Sequence, residues 1–179
     1  AHHILDARSE QYFMPDQFSN EANWKAHYST TAPEIVRDTN GDVDLFVAGM
    51  GTTGTLMGCS RYFREHNPRT KVIGVEPTLN HRIQGLKNMS ESIVPEIYKP
   101  ELLDGKIMCK DEDAFETVRD LALVEGIFCG ISSGAALWGA IQGAKDLPRG
   151  STVVVLFPDR GDRYLSTEMY RSFCASCPP

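Results

Sequence analysis

Short apolar runs that alternate with helical stretches constrain the fold of this chain more than any other feature. Val, Ile, Leu and Phe dominate these runs, as is typical of strands that helices cover on both faces of a parallel sheet. The runs are Val43–Ala48, Lys71–Glu76, Lys106–Cys109 and Thr152–Phe157. This alternation predicts an α/β fold with a mostly parallel sheet flanked by helices.

Helices are predicted between and after these runs, together with one brief strand near the start of the chain. Thr31 and Glu34 form a capping-box pattern with a proline in the first turn, so a helix should run to about Thr39. The other predicted elements are a strand at Tyr12–Met14, a helix ending near Asn67, and helices from Asp111 to Glu125, from about Ser132 to Leu147 and from Asp162 to Arg171.

The composition argues against several classes of function. The formal net charge is −6 and the basic residues are scattered, so no nucleic-acid partner is expected. No apolar segment is long enough to cross a membrane, and the start of the chain does not resemble a signal peptide. The five cysteines are widely spaced, which is typical of buried thiols in a reducing compartment. A cytoplasmic location without membrane contact is therefore predicted.

A C-x-x-C pair, Cys174 and Cys177, lies beside the C-terminus. One such pair cannot complete the four-ligand shell of a structural zinc ion, and no histidine lies nearby in the sequence. We interpret the pair as part of a frayed tail and predict no metal site.

A loop rich in glycine and threonine, Gly49–Thr55, follows the first long strand and opens a helix. Glycines let the backbone turn tightly and approach a ligand closely. The first turn of the helix offers unpaired N–H groups and the positive end of the helix dipole, and the threonine hydroxyls add donors. The loop therefore predicts a site for an anion, most naturally a phosphate.

The same loop also satisfies the dinucleotide-binding pattern G-x-G-x-x-G at Gly49, Gly51 and Gly54. Glu76, at the end of the next strand, lies where that motif places an acidic residue. The threonine hydroxyls suit a terminal phosphate better than a bridging pyrophosphate. The loop alone leaves a phosphate monoester and a dinucleotide equally open.

A second small-residue segment, Gly130–Ala136, again leads into a helix and presents a serine hydroxyl at its start. Serine is a preferred N-cap because its side-chain oxygen accepts a hydrogen bond from the first turn. Taken alone, this segment needs no ligand to explain it.

Taken together, six motifs in order resemble the cysteine synthase family, and the Met-Gly-Thr-Thr-Gly-Thr form of the loop resembles its B-type members. The motifs are Asp16–Asn23, His27–Ile35, Gly51–Thr55, Gly74–Pro77, Gly130–Ala136 and Pro158–Thr167. The resemblance implies the pyridoxal-phosphate fold of the tryptophan synthase β subunit. It makes residues 1–20 a remnant of the smaller N-terminal domain and crossover, 21–172 the C-terminal cofactor-phosphate-binding domain and 173–179 a tail.

The resemblance also implies site residues for pyridoxal 5'-phosphate. The residues expected to hold the cofactor phosphate are Gly51, Thr52, Thr53, Gly54 and Thr55. Ser132 would hydrogen bond to the pyridine nitrogen, and Gln17 would lie near the substrate carboxylate. Gly85 would belong to a loop beside the active site. Asp159 would lie near the ring end of the cofactor, or else cap a turn.

No catalytic residue is predicted within this chain. The family's Schiff-base lysine and an asparagine-containing loop belong to an N-terminal segment that has no counterpart here, and none of the seven lysines has the family's flanking residues. A deprotonated lysine poised over the cofactor aldehyde is required for this chemistry. The isolated chain is therefore expected to be inactive. The resemblance also implies that this sheet takes up further strands and packs against another domain. The isolated chain is thus expected to expose apolar surface and an unpaired sheet edge, and to aggregate, dimerise or be only marginally stable without its complement.

The parent enzyme is expected to make L-cysteine by β-replacement from O-acetylserine or O-phosphoserine and a sulfur donor such as sulfide, as a homodimer in its full-length form. Two alternatives stay open. One is a specificity like that of cystathionine β-synthase. The other is a non-catalytic partner protein that keeps the site for the phosphate or the cofactor.

Overall fold

The computed structural model describes residues 2–167, and within them four parallel strands form one sheet in the order β3-β2-β1-β4. The strands are β1 (Leu45–Gly49), β2 (Lys71–Pro77), β3 (Gly105–Cys109) and β4 (Val153–Val155). The helices are α1 (His2–Ala7), α2 (Ala22–Ser29), α3 (Thr31–Asp38), α4 (Gly54–His66), α5 (Asp111–Val124) and α6 (Ile131–Gly143). Short 3₁₀ helices lie at Pro100–Leu102 and Gly161–Tyr164.

Strand β1 lies inside the sheet and pairs with a neighbour on each side. Leu45 is opposite Lys71 of β2 and also opposite Val153 of β4. Because all the pairs are parallel, the loops that follow β1, β2 and β4 leave from the same edge of the sheet. Ligand sites in open α/β sheets are found at this carboxyl edge.

The two faces of the sheet carry separate apolar cores. Leu45 and Val47 of β1 face a core completed by α5 and α6, whereas Phe46 and Ala48 face a core completed by α4 and its neighbours. Side chains alternate between the faces of a strand, and all four of these are almost fully buried. The apolar character of the run at 43–48 follows from this two-sided burial.

The predicted fold class is confirmed, as are the strands at the four apolar runs and the helices at 31–39 and 111–125 to within two residues. Strand β4 is shorter than predicted. The helix predicted to reach Leu147 ends at Gly143, because the chain turns there towards β4. Of the helix predicted at 162–171, the described part is the 3₁₀ helix Gly161–Tyr164. The rest lies outside the described residues, as do Cys174 and Cys177.

The strand predicted at Tyr12–Met14 is wrong. Residues 8–21 form turns and irregular structure, and Phe13 is 86% exposed. A three-residue apolar run needs a neighbouring strand to satisfy its backbone, and none of the described strands lies beside it. Apolar composition alone therefore misassigned this segment.

Strand β4 forms one edge of the four-stranded sheet as the structure describes it, and its valines are only half-buried. Leu123 and Val124, at the end of α5, are 69% and 75% exposed. Both features agree with the expectation that the chain exposes apolar surface and a sheet edge. No helix within residues 2–167 is long and apolar enough to span a membrane.

Candidate active site

A cavity of about 560 Å³ lies at the carboxyl edge of the sheet. All the residues that the sequence predicted for the site contribute to its wall: Gln17, Gly51, Thr52, Thr53, Gly54, Thr55, Gly85 and Ser132. They come from four separate segments of the chain, which the parallel strand order brings together. The structure thus places them in one cavity, and their individual roles remain predictions.

The loop between β1 and α4 is built for close approach of a ligand to its backbone. A β-carbon added to Gly51 would lie 2.8 Å from the carbonyl oxygen of Gly85, so only glycine fits without a backbone shift. Thr53 adopts a left-handed conformation, with φ +67°, directly before α4. That conformation is strained for a β-branched residue, and such strain concentrates at ligand sites.

The start of α4 carries an unpaired buried hydroxyl and no negative charge. The Thr53 hydroxyl is buried and has no hydrogen-bond partner among the described residues. The first turn of α4 contains no acidic side chain. An unpaired buried hydroxyl beside the positive end of a helix is satisfied by an anion. These features fit a phosphate.

Helix α2 supports the loop from behind through Asn23. Its Nδ2 donates to the carbonyl oxygen of Gln17 at 2.7 Å and to Oγ1 of Thr52 at 3.0 Å. Its Oδ1 lies 1.9 Å from the position of a β-carbon on Gly54, so the glycine is required for this contact. One side chain therefore connects the Gln17 segment to the glycine-rich loop.

His27, one turn further along α2, bridges two threonines. Nδ1 lies 3.0 Å from Oγ1 of Thr31, and Nε2 lies 3.2 Å from Oγ1 of Thr55. Burial lowers the pKa of the His27 imidazole, because desolvation disfavours its charged form. The ring is therefore neutral near pH 7.

Ser132 and Gly85 form another part of the wall. Ser132, in the first turn of α6, is 4% exposed, and Gly85 has φ +92° in the loop after β2. A β-carbon on Gly85 would lie 3.8 Å from the Ser132 hydroxyl oxygen. Asp111 holds this loop in place by accepting two hydrogen bonds from the Arg82 backbone N–H, at 2.9 and 3.0 Å.

Asp159 and Tyr164 close the cavity beside the start of α6. The Tyr164 hydroxyl donates to Oδ2 of Asp159 at 2.5 Å. Oδ1 of Asp159 lies 2.0 Å from where Gly130, the residue before α6, would carry a β-carbon. Burial and this hydrogen bond to the carboxylate raise the pKa of the Tyr164 phenol to about 12.

Glu76, the acidic residue of the dinucleotide alternative, is committed to the structure of the sheet. It is 3% exposed, and its carboxylate contacts Nζ of Lys106 at 2.6 Å. It also accepts a hydrogen bond from the Met89 N–H at 2.7 Å. A carboxylate with these partners is not free to bind a ribose.

Comparison with known proteins decides the family. Residues 2–159 match the model of a family described as pyridoxal-phosphate dependent enzyme. The chain belongs to this family. The family match therefore favours a phosphate monoester over a dinucleotide in the glycine-rich loop.

The most similar relatives found include several cysteine synthases. A cysteine synthase from Aquifex aeolicus is 45% identical over 171 residues, which are 93% of this chain and 52% of the relative. Cysteine synthase B from Salmonella typhimurium is 44% identical over 155 residues, which cover 87% of this chain and 51% of the relative. The chain thus spans about half the length of the curated relatives it matches.

Solved structures agree with the fold. O-acetyl serine sulfhydrylase isoform 3 from Entamoeba histolytica superposes with a TM-score of 0.87 at 36% identity, covering 95% of this chain and 53% of that one. An O-acetylserine-dependent cystathionine β-synthase from Helicobacter pylori gives 0.85 at 38% identity, covering 95% and 58%. Both confirm the α/β architecture predicted for a pyridoxal-phosphate enzyme.

Sequence reasoning missed several residues that lie in the cavity wall or directly behind it. Lys87 lines it as the one cationic side chain of the described wall, with Nζ 5.4 Å from the ring centroid of Phe18. Tyr164 was likewise not assigned. Asn23 and His27 lie in motifs that carry the resemblance, but neither was given a role. The only sequence signal that could have identified Lys87 is its position, two residues after Gly85 in the same loop.

The described residues offer little other chemistry in the way of metals or nucleophiles. No group of three or more His, Cys, Asp or Glu side chains within residues 2–167 is arranged to hold a metal ion. Burial raises the pKa values of the Cys59 and Cys109 thiols to about 12, so neither is a ready nucleophile.

Proposed function

We propose that this chain forms the cofactor-phosphate-binding part of a cysteine synthase. The whole enzyme would make L-cysteine from O-acetylserine or O-phosphoserine and sulfide by β-replacement. The observation that carries the proposal is the single cavity shared by the glycine-rich loop, Ser132 and Gln17. The cysteine synthases among the relatives support the choice of reaction.

Each part of the cavity has a distinct task in this proposal. The loop from Gly51 to Thr55 binds the phosphate through the N–H groups of α4 and the threonine hydroxyls. Ser132 donates a hydrogen bond to the pyridine nitrogen and leaves that nitrogen largely unprotonated. Gln17 orients the substrate carboxylate. Bound pyridoxal phosphate supplies the electron-withdrawing ring that β-elimination needs.

The division of the chain follows the same proposal. Residues 1–20 belong to the smaller domain and crossover, 21–172 to the cofactor-phosphate domain and 173–179 to a tail. Almost every side chain from 3 to 13 is exposed, with Leu5 the one half-buried exception, which supports assigning them to a different packing unit. The exposed β4 edge supports a complement that contributes further structure, and a homodimer in the full-length enzyme.

We further propose that the Schiff-base lysine is supplied from outside these 179 residues and that the enzyme works in the cytoplasm. Lys87 is the one lysine in the described wall, and it lies in the loop that follows Gly85. Three buried free thiols, Cys59, Cys109 and Cys129, support a reducing compartment.

The proposal is tested by adding pyridoxal phosphate to the purified chain, recording its absorbance and measuring intact mass after borohydride reduction. We expect reversible binding and no covalent mass gain. An adduct on Lys87 that disappears in Lys87→Arg but persists in Lys145→Arg would contradict the external lysine. A chain that does not bind the cofactor at all would contradict the proposed function itself.

A specificity for homocysteine is the second candidate, because an O-acetylserine-dependent cystathionine β-synthase is among the similar structures. Supplying the complementary segment and comparing sulfide with homocysteine as acceptor separates the two. Faster turnover with sulfide supports the cysteine synthase, and faster turnover with homocysteine supports the alternative.

A further inference from the structure

The glycine-rich loop is backed by two polar side chains of α2. Asn23 and His27 lie four residues apart, on one face of that helix. Each contacts a threonine hydroxyl of the loop, at 3.0 and 3.2 Å respectively. No role has been assigned so far to either contact.

The direction of the hydrogen bond from Asn23 follows from its other partner. The carbonyl oxygen of Gln17 can only accept, so the atom 2.7 Å from it must be the amide nitrogen of Asn23. That nitrogen can only donate, and therefore Oγ1 of Thr52 must accept at 3.0 Å. The N–H of Gly54 approaches the same oxygen at 3.5 Å. The proton of the Thr52 hydroxyl is then free to point elsewhere.

The contact between His27 and Thr55 has two possible directions, because a neutral imidazole has one donor and one acceptor nitrogen. If Nε2 carries the proton, Thr55 accepts it and keeps its own proton for another partner. If Nδ1 carries the proton, the Thr55 hydroxyl must donate to the ring. Only the first tautomer leaves Thr55 able to donate to an anion in the cavity.

We infer that α2 aims the hydroxyl protons of the glycine-rich loop at the bound phosphate, which rests on the proposed function of that loop. Asn23 is the positioning residue for Thr52. His27 is the positioning residue for Thr55. Both supply a donor to the hydroxyl oxygen, and a hydroxyl that accepts one hydrogen bond donates a stronger one.

The same arrangement connects phosphate binding to the substrate region. Asn23 uses its two amide hydrogens on Gln17 and Thr52, so moving the loop hydroxyl also moves the backbone beside Gln17. The segment around Gln17 is itself held by Asn20, which donates to the Pro15 carbonyl at 2.9 Å. Loss of Asn23 therefore affects both ends of the cavity.

The first test is a double-mutant cycle read by binding, with inorganic phosphate and pyridoxal phosphate as probes on the full chain. Asn23→Leu removes the donors, and Thr52→Val removes the hydroxyl that they orient. We expect each single variant to bind phosphate on the order of tenfold more weakly. We expect Asn23→Leu to add little once Thr52 is valine, because it then has no hydroxyl to orient.

The second test uses His27 and a spectroscopic readout. The ¹⁵N chemical shifts of its ring should report the Nε2–H tautomer when inorganic phosphate is bound. His27→Phe should weaken phosphate binding on the order of tenfold, and His27→Gln, whose amide is a donor, should recover most of it. Ser29→Ala is the matched control on α2, since its hydroxyl bonds only to helix carbonyls among the described residues.

The outcomes separate this inference from the proposed function. If the parent chain binds phosphate and Asn23→Leu weakens it equally with threonine or valine at position 52, the inference is overturned and the function stands. An Nδ1–H tautomer in the phosphate complex also overturns it. If the parent binds inorganic phosphate but not pyridoxal phosphate, the proposed function is contradicted. The double-mutant cycle of Asn23 and Thr52, read with inorganic phosphate, then still tests the inference. A parent that binds neither overturns both.

Discussion

Helices α4 and α6 both begin after a small-residue turn at the carboxyl edge of the sheet, yet their N-termini are used differently. At α6, the chain provides its own acid, because a carboxylate oxygen of Asp159 lies against Gly130. At α4, no acidic side chain lies in the first turn, and the Thr53 hydroxyl has no partner among the described residues. A helix dipole favours a negative charge at its start. The difference is that a carboxylate of the chain lies beside the start of α6, although its Oδ1 has no hydrogen-bond partner among the described residues, whereas the first turn of α4 contains no carboxylate.

Placing a carboxylate at α4 should abolish this difference and have the largest effect. In Thr52→Asp, an internal anion occupies the position of the external one. Like charges about 4 Å apart repel by about 4 kcal/mol near a protein surface, so phosphate should bind at least about a hundredfold more weakly. Isothermal titration with pyridoxal phosphate measures this. Thr52→Ser keeps a neutral hydroxyl and should bind nearly as well as the parent, and equal losses in both variants would contradict the electrostatic explanation.

Displacing the internal acid at α6 should cost stability rather than phosphate binding. In Gly130→Ala, the new β-carbon would lie 2.0 Å from Oδ1 of Asp159 and 2.6 Å from the Tyr164 ring. Overpacking of this kind lowers the free energy of unfolding by about 1–3 kcal/mol, which urea denaturation measures. Gly105→Ala, where nothing lies within 4 Å of the new β-carbon, is the control and should unfold like the parent. A stable Gly130→Ala chain would show that Asp159 can move without cost.

Removing only the charge at α6 should have a smaller effect. Asp159→Asn should lower the free energy of unfolding by about 1 kcal/mol through the lost helix-dipole interaction. It should also bring the pKa of Tyr164 down from about 12, because an amide no longer accepts as strongly from the phenol. Ultraviolet titration of the phenolate measures this pKa.

The raised pKa of Tyr164 also predicts how the free energy of unfolding of the parent chain changes at alkaline pH. The folded state holds the Tyr164 proton more tightly than the unfolded state, whose pKa is about 10. Its contribution to stability is complete below pH about 10 and is lost as pH rises towards about 12. Asp159→Asn should narrow the pH range over which this stability is lost. An unchanged range would contradict the hydrogen bond to Asp159 as a cause of the raised pKa of Tyr164.

The smallest effect on stability is expected from His27, which contacts Thr55 in the first turn of α4. Burial lowers the pKa of His27, so the unfolded chain takes up a proton more readily than the folded one. Stability is therefore complete above the ordinary value of about 6.5 and falls as the pH drops below it. His27→Gln should flatten this part of the stability profile measured by urea titrations between pH 5 and 7. The same slope in parent and variant would assign it to other groups.

The sequence predicts the elements of this fold well where a local signal exists. The run at 43–48 is apolar because β1 is buried on both faces. The glycine-rich loop can be recognised from its composition alone. The end of α6 was missed because Ala144 and Lys145 are good helix formers, and the need to return to the sheet overrides their propensity.

The contacts behind the loop could not be predicted from local signals. Asn23 reaches Thr52 across 29 positions and His27 reaches Thr55 across 28, and neither spacing has a periodic signature. Lys87 likewise enters the cavity only because Gly85 turns the chain at φ +92°. The residues proposed to bind the cofactor were predicted from motifs, whereas the contacts of those proposed to position them depend on tertiary packing.

The pairing of β1 with β4 also has a consequence for how the site is assembled in time. Asp44 accepts a hydrogen bond from the Thr152 N–H, a contact that closes a loop of 108 residues. Such non-local contacts form slowly, because the entropy of closing the loop is lost before the contact repays it. During folding, the local unit of α2 and α4 that carries the glycine-rich loop can form early, and the wall at Asp159 joins last. A phosphate that binds this early unit would therefore accelerate folding, whereas a ligand that needs the complete cavity would only slow unfolding.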